Sequence, residues 1–135
     1  MARFRRGGVL GLFAVLVAIF ASEASAHARL KRAVPAVGGV VSANSVPSEM
    51  RIWFSERVEV SLSEIQVLNT AGSRVDNGEL RLDETDPTEL HLALKPLSPG
   101  RYRVVWRVVS MDTHKTNGTF PFRVRSKGRP GLIPR

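Results

Sequence analysis

The chain has 135 residues, 20 basic and 12 acidic side chains for a formal charge of +8, and no cysteine. One small domain with its own core fits that length, while disulfides, thiolate metal sites and thiol nucleophiles are excluded, leaving nitrogen, oxygen and methionine sulfur as the possible metal donors. The basic residues are scattered along the chain instead of forming runs, so a solvated, mildly basic surface is expected, open to attraction by an anionic membrane, with no nucleic-acid partner.

The first predicted element is a leader. Arg3, Arg5 and Arg6 form a basic start, Val9 to Phe20 is an apolar run with one glycine, and Ala24-Ser25-Ala26 fits the small-residue cleavage pattern of a secretory signal peptide. The apolar run is shorter than the roughly 20 residues needed to cross a bilayer, so cleavage after Ala26 is expected over anchoring. Residues 1–26 would then be removed, and His27 would become the first residue of a domain running over 27–125.

From there the chain alternates with period two, the pattern of half-buried strands. Strands are predicted at Arg29 to Val34, Met50 to Ser55 and Leu62 to Leu68, with a further short one near Glu79 to Leu82. Leu90, Leu92 and Leu94 share one face against His91, Ala93 and Lys95; Tyr102, Val104, Trp106 and Val108 oppose Arg103, Val105, Arg107 and Val109; Phe120, Phe122 and Val124 oppose Pro121, Arg123 and Arg125. Trp53 and Trp106 are both expected in the core, and His91 at the surface.

Gly38-Gly39, Asn44 to Pro47, Ala71-Gly72, Asn77-Gly78, Asp86-Pro87 and Ser98-Pro99-Gly100 are turn signals that separate these runs. No sustained helical period occurs after the leader. About seven short strands in a chain of this size predict an all-β fold, an antiparallel sandwich or Greek-key barrel. Residues 126–135, with two glycines and two prolines, read as a flexible tail.

The densest polar cluster follows the longest strand, from Ser110 through Asp112 and His114 to Gly118. In an extended segment residues i and i+2 point to one side, so the Asp112 carboxylate and the His114 imidazole can converge. An Asp-x-His triplet alone is more often a hydrogen-bonded loop. A cut after Ala26 changes the balance, because His27 then carries a free α-amine, with an unperturbed pKa near 7.7–8.0, beside its own ring. Amine and ring nitrogen of one residue can chelate an ion together. With His114 and Asp112 they form a tetragonal N,O set that suits Cu(II); zinc prefers a tetrahedral arrangement, and nickel is the weaker competitor in affinity. Glu56, in Phe54-Ser55-Glu56-Arg57-Val58, ends a strand and reads from pattern alone as an exposed carboxylate paired with a nearby cation.

Taken together, several short motifs resemble the CopC family of periplasmic copper-binding proteins. They are His27 and Leu30 after the cleavage site; Phe54, Ser55, Glu56 and Val58; Tyr102, Val104, Trp106, Ser110, Asp112, His114 and Gly118; and Phe120, Phe122 and Val124. The resemblance implies a Greek-key, immunoglobulin-like β-sandwich in the periplasm. It also implies one Cu(II) ion per chain, held by the amine and imidazole of His27, by His114 and by Asp112, with Glu56 near the axial position. Some members hold Cu(I) in a methionine-rich loop. Here the only methionines are Met1, Met50 and Met111, with no Met-x-x-Met run, so Cu(I) should be held poorly.

The implied role is copper homeostasis, resistance or delivery to a membrane importer, with a CopD-type inner-membrane transporter as a partner on a separate chain. A monomer and a binding protein without turnover are expected. Two alternatives remain at this stage: a copper-dependent oxidative enzyme with an amino-terminal histidine brace, and a metal-free immunoglobulin-like interaction module in which Asp112 and His114 merely close a turn.

Overall fold

The computed structural model describes residues 27–127. The expected leader and most of the expected tail lie outside the described residues; Ser126 and Lys127 belong to no regular element. Eight strands are formed: β1 Leu30–Val34, β2 Val40–Ser42, β3 Glu49–Phe54, β4 Glu64–Leu68, β5 Asp76–Leu82, β6 Glu89–Leu94, β7 Gly100–Val109 and β8 Lys115–Arg125. Two short 3-10 turns, Ala43–Ser45 and Val60–Leu62, are the only helical segments described.

The strands form two four-stranded sheets, β1-β3-β6-β5 and β2-β8-β7-β4. The first order is that of the immunoglobulin ABED sheet, and the second is its CFG sheet with one strand added at the edge. The predicted all-β sandwich is therefore the fold adopted. Tyr102, near the start of β7, donates its hydroxyl to the Ser98 carbonyl at 2.6 Å, the corner contact of immunoglobulin-like sandwiches. Burial of its ring raises the Tyr102 pKa.

The alternation seen in the sequence becomes the core. Tyr102, Val104, Trp106 and Val108 of β7 and Phe120, Phe122 and Val124 of β8 turn inward against Met50, Ile52 and Phe54 of β3 and Leu90 and Leu92 of β6. Each large apolar side chain buried in this way stabilises the fold by about 1.5–3 kcal/mol. Gly118, directly opposite Trp106, makes room for the indole: a Cβ there would lie 2.6 Å from it. Trp106 in turn packs edge-on against Phe54 at 5.2 Å.

Several expectations need correction. β2 escapes the sequence pattern because it has only three residues, and it pairs parallel with β8, so the sandwich is not wholly antiparallel. Asn77-Gly78 is not a turn but lies inside β5, where the register shifts between Asp76 and Leu80 and Gly78 adopts a φ of 80°. That is the signature of a β-bulge. Buried Asp76 supports it, accepting from the Gly78 amide at 2.8 Å while its other oxygen takes the Val67 amide of the opposite sheet at 2.8 Å.

Trp53 is not a core residue. It lies half-buried on the outer face of its sheet, stacked by the guanidinium of Arg32 at 3.8 Å and flanked by Arg51 at 4.9 Å. His91 shares that outer face but is only 6% exposed, because the carboxylates of Glu49, Asp83 and Glu89 close around it. The scattered basic residues also gather. Arg101, Arg103 and Arg107 of β7 and Lys115, Arg123 and Arg125 of β8 are all exposed on the other sheet, with Arg101 directly opposite Arg123. Spacing by two in a strand lines up one face.

Candidate metal centre

β7 and β8 are joined by the turn Ser110 to His114. The Thr113 amide donates to the Ser110 carbonyl at 2.8 Å, and the Ser110 amide to the His114 carbonyl at 2.9 Å. To close it, Thr113 takes a φ of 70°, a left-handed conformation that is costly for a β-branched residue. Strain of this kind costs about 1–3 kcal/mol and persists where surrounding contacts impose it.

The imposing residue is Ser110, which is 2% exposed. Its hydroxyl donates to Asp112 Oδ1 and approaches the His114 carbonyl at 3.2 Å. Asp112 Oδ2 lies 2.8 Å from His114 Nδ1. The Ser110 hydroxyl first, and then His114, hold the Asp112 carboxyl below the ordinary carboxylate range. With Asp112 Oδ2 on the Nδ1 edge of the His114 ring, the two hold one ion together only if the ion takes the place of the hydrogen between them or the contact opens to let Nε2 turn in.

The amino-terminal segment reaches this turn by bridging the two sheets. On the β3 side, Ser55 Oγ accepts from the Arg29 amide at 2.9 Å, and the Ser55 amide donates to the Arg29 carbonyl at 2.8 Å. On the β8 side, Thr116 Oγ1 donates to the Ala28 carbonyl at 2.7 Å, and Ala28 is fully buried. So held, the His27 ring stacks on the His114 ring, with centroids 4.4 Å apart and planes at 25°.

Glu56 sits between two anchor points of the segment that follows β3. Its neighbour Ser55 holds residues 27–29, and Arg57 on the other side accepts the Met111 amide through its carbonyl at 3.2 Å. The Glu56 side chain is exposed, and no contact joins its carboxylate to Asp112, His114 or His27. His27, Asp112 and His114 are thus brought together, and Glu56 is brought only to their border.

The group is not closed around a point. Stacked, nearly parallel imidazoles direct their in-plane lone pairs side by side, whereas two donors on one ion must converge. Binding one ion with both rings requires His27 to unstack. In the chain as written its nitrogen is an amide to Ala26, so the second donor of that residue is absent until the preceding peptide bond is cut. All three side chains are exposed, so such a rearrangement displaces only water.

Residues 30–125 match the CopC domain. This chain belongs to the CopC family. The matched region contains Glu56, Asp112 and His114 and begins just after His27. Among curated relatives, Protein YobA of Escherichia coli strain K12 is 35% identical over 101 residues, which cover 74% of this chain and 80% of that protein. Among solved structures, the crystal structure of CopC from Methylosinus trichosporium OB3b superposes with a TM-score of 0.69 at 30% identity, covering 76% of this chain and 98% of that one. PcoC from Escherichia coli, described as a methionine-rich copper resistance protein, gives a TM-score of 0.61 at 31% identity over 73% of this chain and 99% of its own.

This CopC-family chain is not methionine-rich. Among the described residues, Met50 is fully buried in the core and Met111 is the one exposed methionine, within the turn. One further group escaped sequence reading. Donor atoms of Asp83, Glu89 and His91 lie within 4.8 Å of one another on the outer face of the β1-β3-β6-β5 sheet. The alternating position of His91 between leucines signals only a side chain facing away from the core.

Proposed function

We propose that this CopC-family chain is a periplasmic Cu(II)-binding protein of copper homeostasis or resistance, which holds one ion per chain and passes it on without chemical turnover. The ligands are the amine and ring of His27, the ring of His114 and the carboxylate of Asp112, with Glu56 near the axial position. The observation that carries this reading is the docking of residues 27–29 across the two sheets, which lays His27 on His114 beside an ionised Asp112. The copper-resistance role named for PcoC supports the choice of metal.

Export and cleavage after Ala26 are part of the proposal, because they create the amine. Binding should weaken in acid, as the amine and the imidazoles take up protons that compete with the metal. An exposed, rim-placed site suits handover to another protein, and a CopD-type membrane transporter on a separate chain fits as the recipient. With Met50 in the core and Met111 alone, a tight Cu(I) site is not expected.

The test combines amino-terminal sequencing of the exported protein with the electron paramagnetic resonance spectrum of its Cu(II) form. A chain starting at His27 with a tetragonal nitrogen- and oxygen-ligated spectrum is expected. A chain starting elsewhere, or Cu(II) bound equally well when one residue is added ahead of His27, would refute the site.

A further inference from the structure

The outer face of the β1-β3-β6-β5 sheet carries a second histidine cluster, far from the chain's amino-terminal segment in sequence and built on different elements. His91 stands on β6, between Arg51 of β3 and Arg81 of β5 in the strand register. Its Nδ1 lies 2.7 Å from Glu49 Oε1. Arg81 Nη2 is 3.2 Å from the same nitrogen but is itself held by Glu49 Oε2 at 2.9 Å. A lone pair on Nδ1 would face the nearer carboxylate and be repelled, so the proton belongs there and is donated to Glu49. In a ring carrying a single proton, that placement leaves the Nε2 lone pair free.

That nitrogen is buried and has no hydrogen-bond partner. Yet it lies 3.0 Å from Asp83 Oδ1 and 2.9 Å from Glu89 Oε1. A bare lone pair facing two carboxylate oxygens at such distances is repelled, so either a second ring proton or a metal ion belongs among them. On a tetrahedral ion two donors, each about 2.0–2.2 Å from it, stand about 3.3–3.6 Å apart, so Asp83 Oδ1 and Glu89 Oε1, now 3.0 and 2.9 Å from Nε2, need only draw back by a few tenths of an ångström to admit one.

The donors are positioned by other contacts. Asp83 Oδ2 takes the Thr85 amide and hydroxyl and the Asp86 amide at 2.9–3.0 Å, leaving Oδ1 to face His91. Those contacts, the Thr85 amide foremost, hold the Asp83 carboxyl down at about 2. Glu49 on Nδ1 completes the carboxylate–histidine arrangement that orients metal-binding imidazoles. Arg51 reaches Glu89 Oε1 at 2.6 Å from a half-exposed position, so an entering ion competes with a side chain that can swing into solvent. The carboxylates of Glu49, Asp83 and Glu89 outnumber the arginines Arg51 and Arg81 by one around the ring, a surplus of negative charge that favours a cation there.

We propose that Asp83, Glu89 and His91 form a second site for a borderline divalent cation of the zinc class, independent of the His27–His114 centre. One imidazole and two carboxylates suit zinc, with nickel and Cu(II) as competitors.

The test uses Zn(II) as the probe with the chain starting at His27, as wild type and as His114→Ala, Asp83→Asn and His91→Gln, each checked for folding by circular dichroism. One equivalent of Zn(II) retained by His114→Ala and weakened at least tenfold in Asp83→Asn and His91→Gln is expected. Nitrogen-15 spectra of wild type should show the His91 Nε2 resonance moved by Zn(II) while Nδ1 stays protonated. These spectra need no variant, so a His91→Gln that fails to fold leaves the proposal testable. A His91 ring that keeps a proton on Nε2 and ignores excess Zn(II) would show a proton as the only cation there and overturn it, as would Zn(II) binding untouched by Asp83→Asn.

Discussion

The two histidine groups of this molecule are built on opposite plans. At the rim, His27 and His114 are exposed, carried by a chain segment and a turn, stacked face to face and open to rearrangement. On the sheet face, His91 is 6% exposed, fixed on a strand paired on both sides, with its donors already within 4.8 Å. The difference separates affinity from access. Strands preorganise donors but bury them, whereas a turn and a terminal segment leave donors free to assemble around an arriving ion and release it to a partner.

The largest effect expected from breaking that contrast is loss of Cu(II) binding in His114→Ala or Asp112→Ala. Each should cost more than the roughly 10–100-fold typical of losing a group that merely orients a ligand; the exposed His114→Ala should leave the thermal melt of the copper-free protein nearly unchanged, whereas Asp112→Ala should lower it by freeing the buried Ser110 hydroxyl. A competitive chelator titration measures it. His91→Gln should do the reverse, keeping Cu(II) affinity at the rim and lowering the melting temperature. Glu49 would lose its 2.7 Å contact to Nδ1, and Glu49, Asp83 and Glu89 the ring that they surround.

Next in size is Gly118→Ala. The new Cβ would meet the Trp106 indole at 2.6 Å and force it aside, for a loss of about 1–3 kcal/mol in urea denaturation. Copper affinity per folded molecule should hold, because the proposed ligands lie beyond the end of β7 and at the amino-terminal segment.

The smallest effect concerns the two carboxylates. Asp112 is held low first by the Ser110 hydroxyl, and Asp83 is held at about 2 first by the Thr85 amide. Ser110→Ala should therefore raise the Asp112 midpoint toward 3.8 and leave Asp83 in place, as read by carbon-13 titration of the metal-free protein. Because the folded-state value of each lies below the unfolded one, each contributes stability that is present above pH 3.8 and lost as pH falls through the folded value. The Ser110 variant should lose its Asp112 share.

Much of this was legible in the chain. Alternating residues such as Leu90 and Leu92, or Tyr102 to Val108, named the strands and the core faces correctly, because side chains on a strand alternate whatever it pairs with. Trp53 and His91 were misread for the same reason: alternation tells which face a residue is on but not what covers that face. Trp53 looks apolar and lies outside between arginines; His91 looks polar and is buried by carboxylates from β3, β6 and the turn after β5. The Asn77-Gly78 pair carries the chemistry of a turn and is used as a bulge, a choice made by how β5 must meet β6.

By itself, the sequence determined what depends on neighbours along the chain: the period-two strands, the small-residue site before His27, and the Ser110-x-Asp112-x-His114 triplet whose own hydrogen bonds shape its turn. Only the tertiary structure decided what depends on partners far away. It brought Thr116 to Ala28 across 88 positions and so set His27 on His114, and it gathered the scattered arginines of β7 and β8 onto one face. Register and sheet packing are set by closing long loops around a shared core, and no local pattern of residues encodes which distant strand will lie alongside.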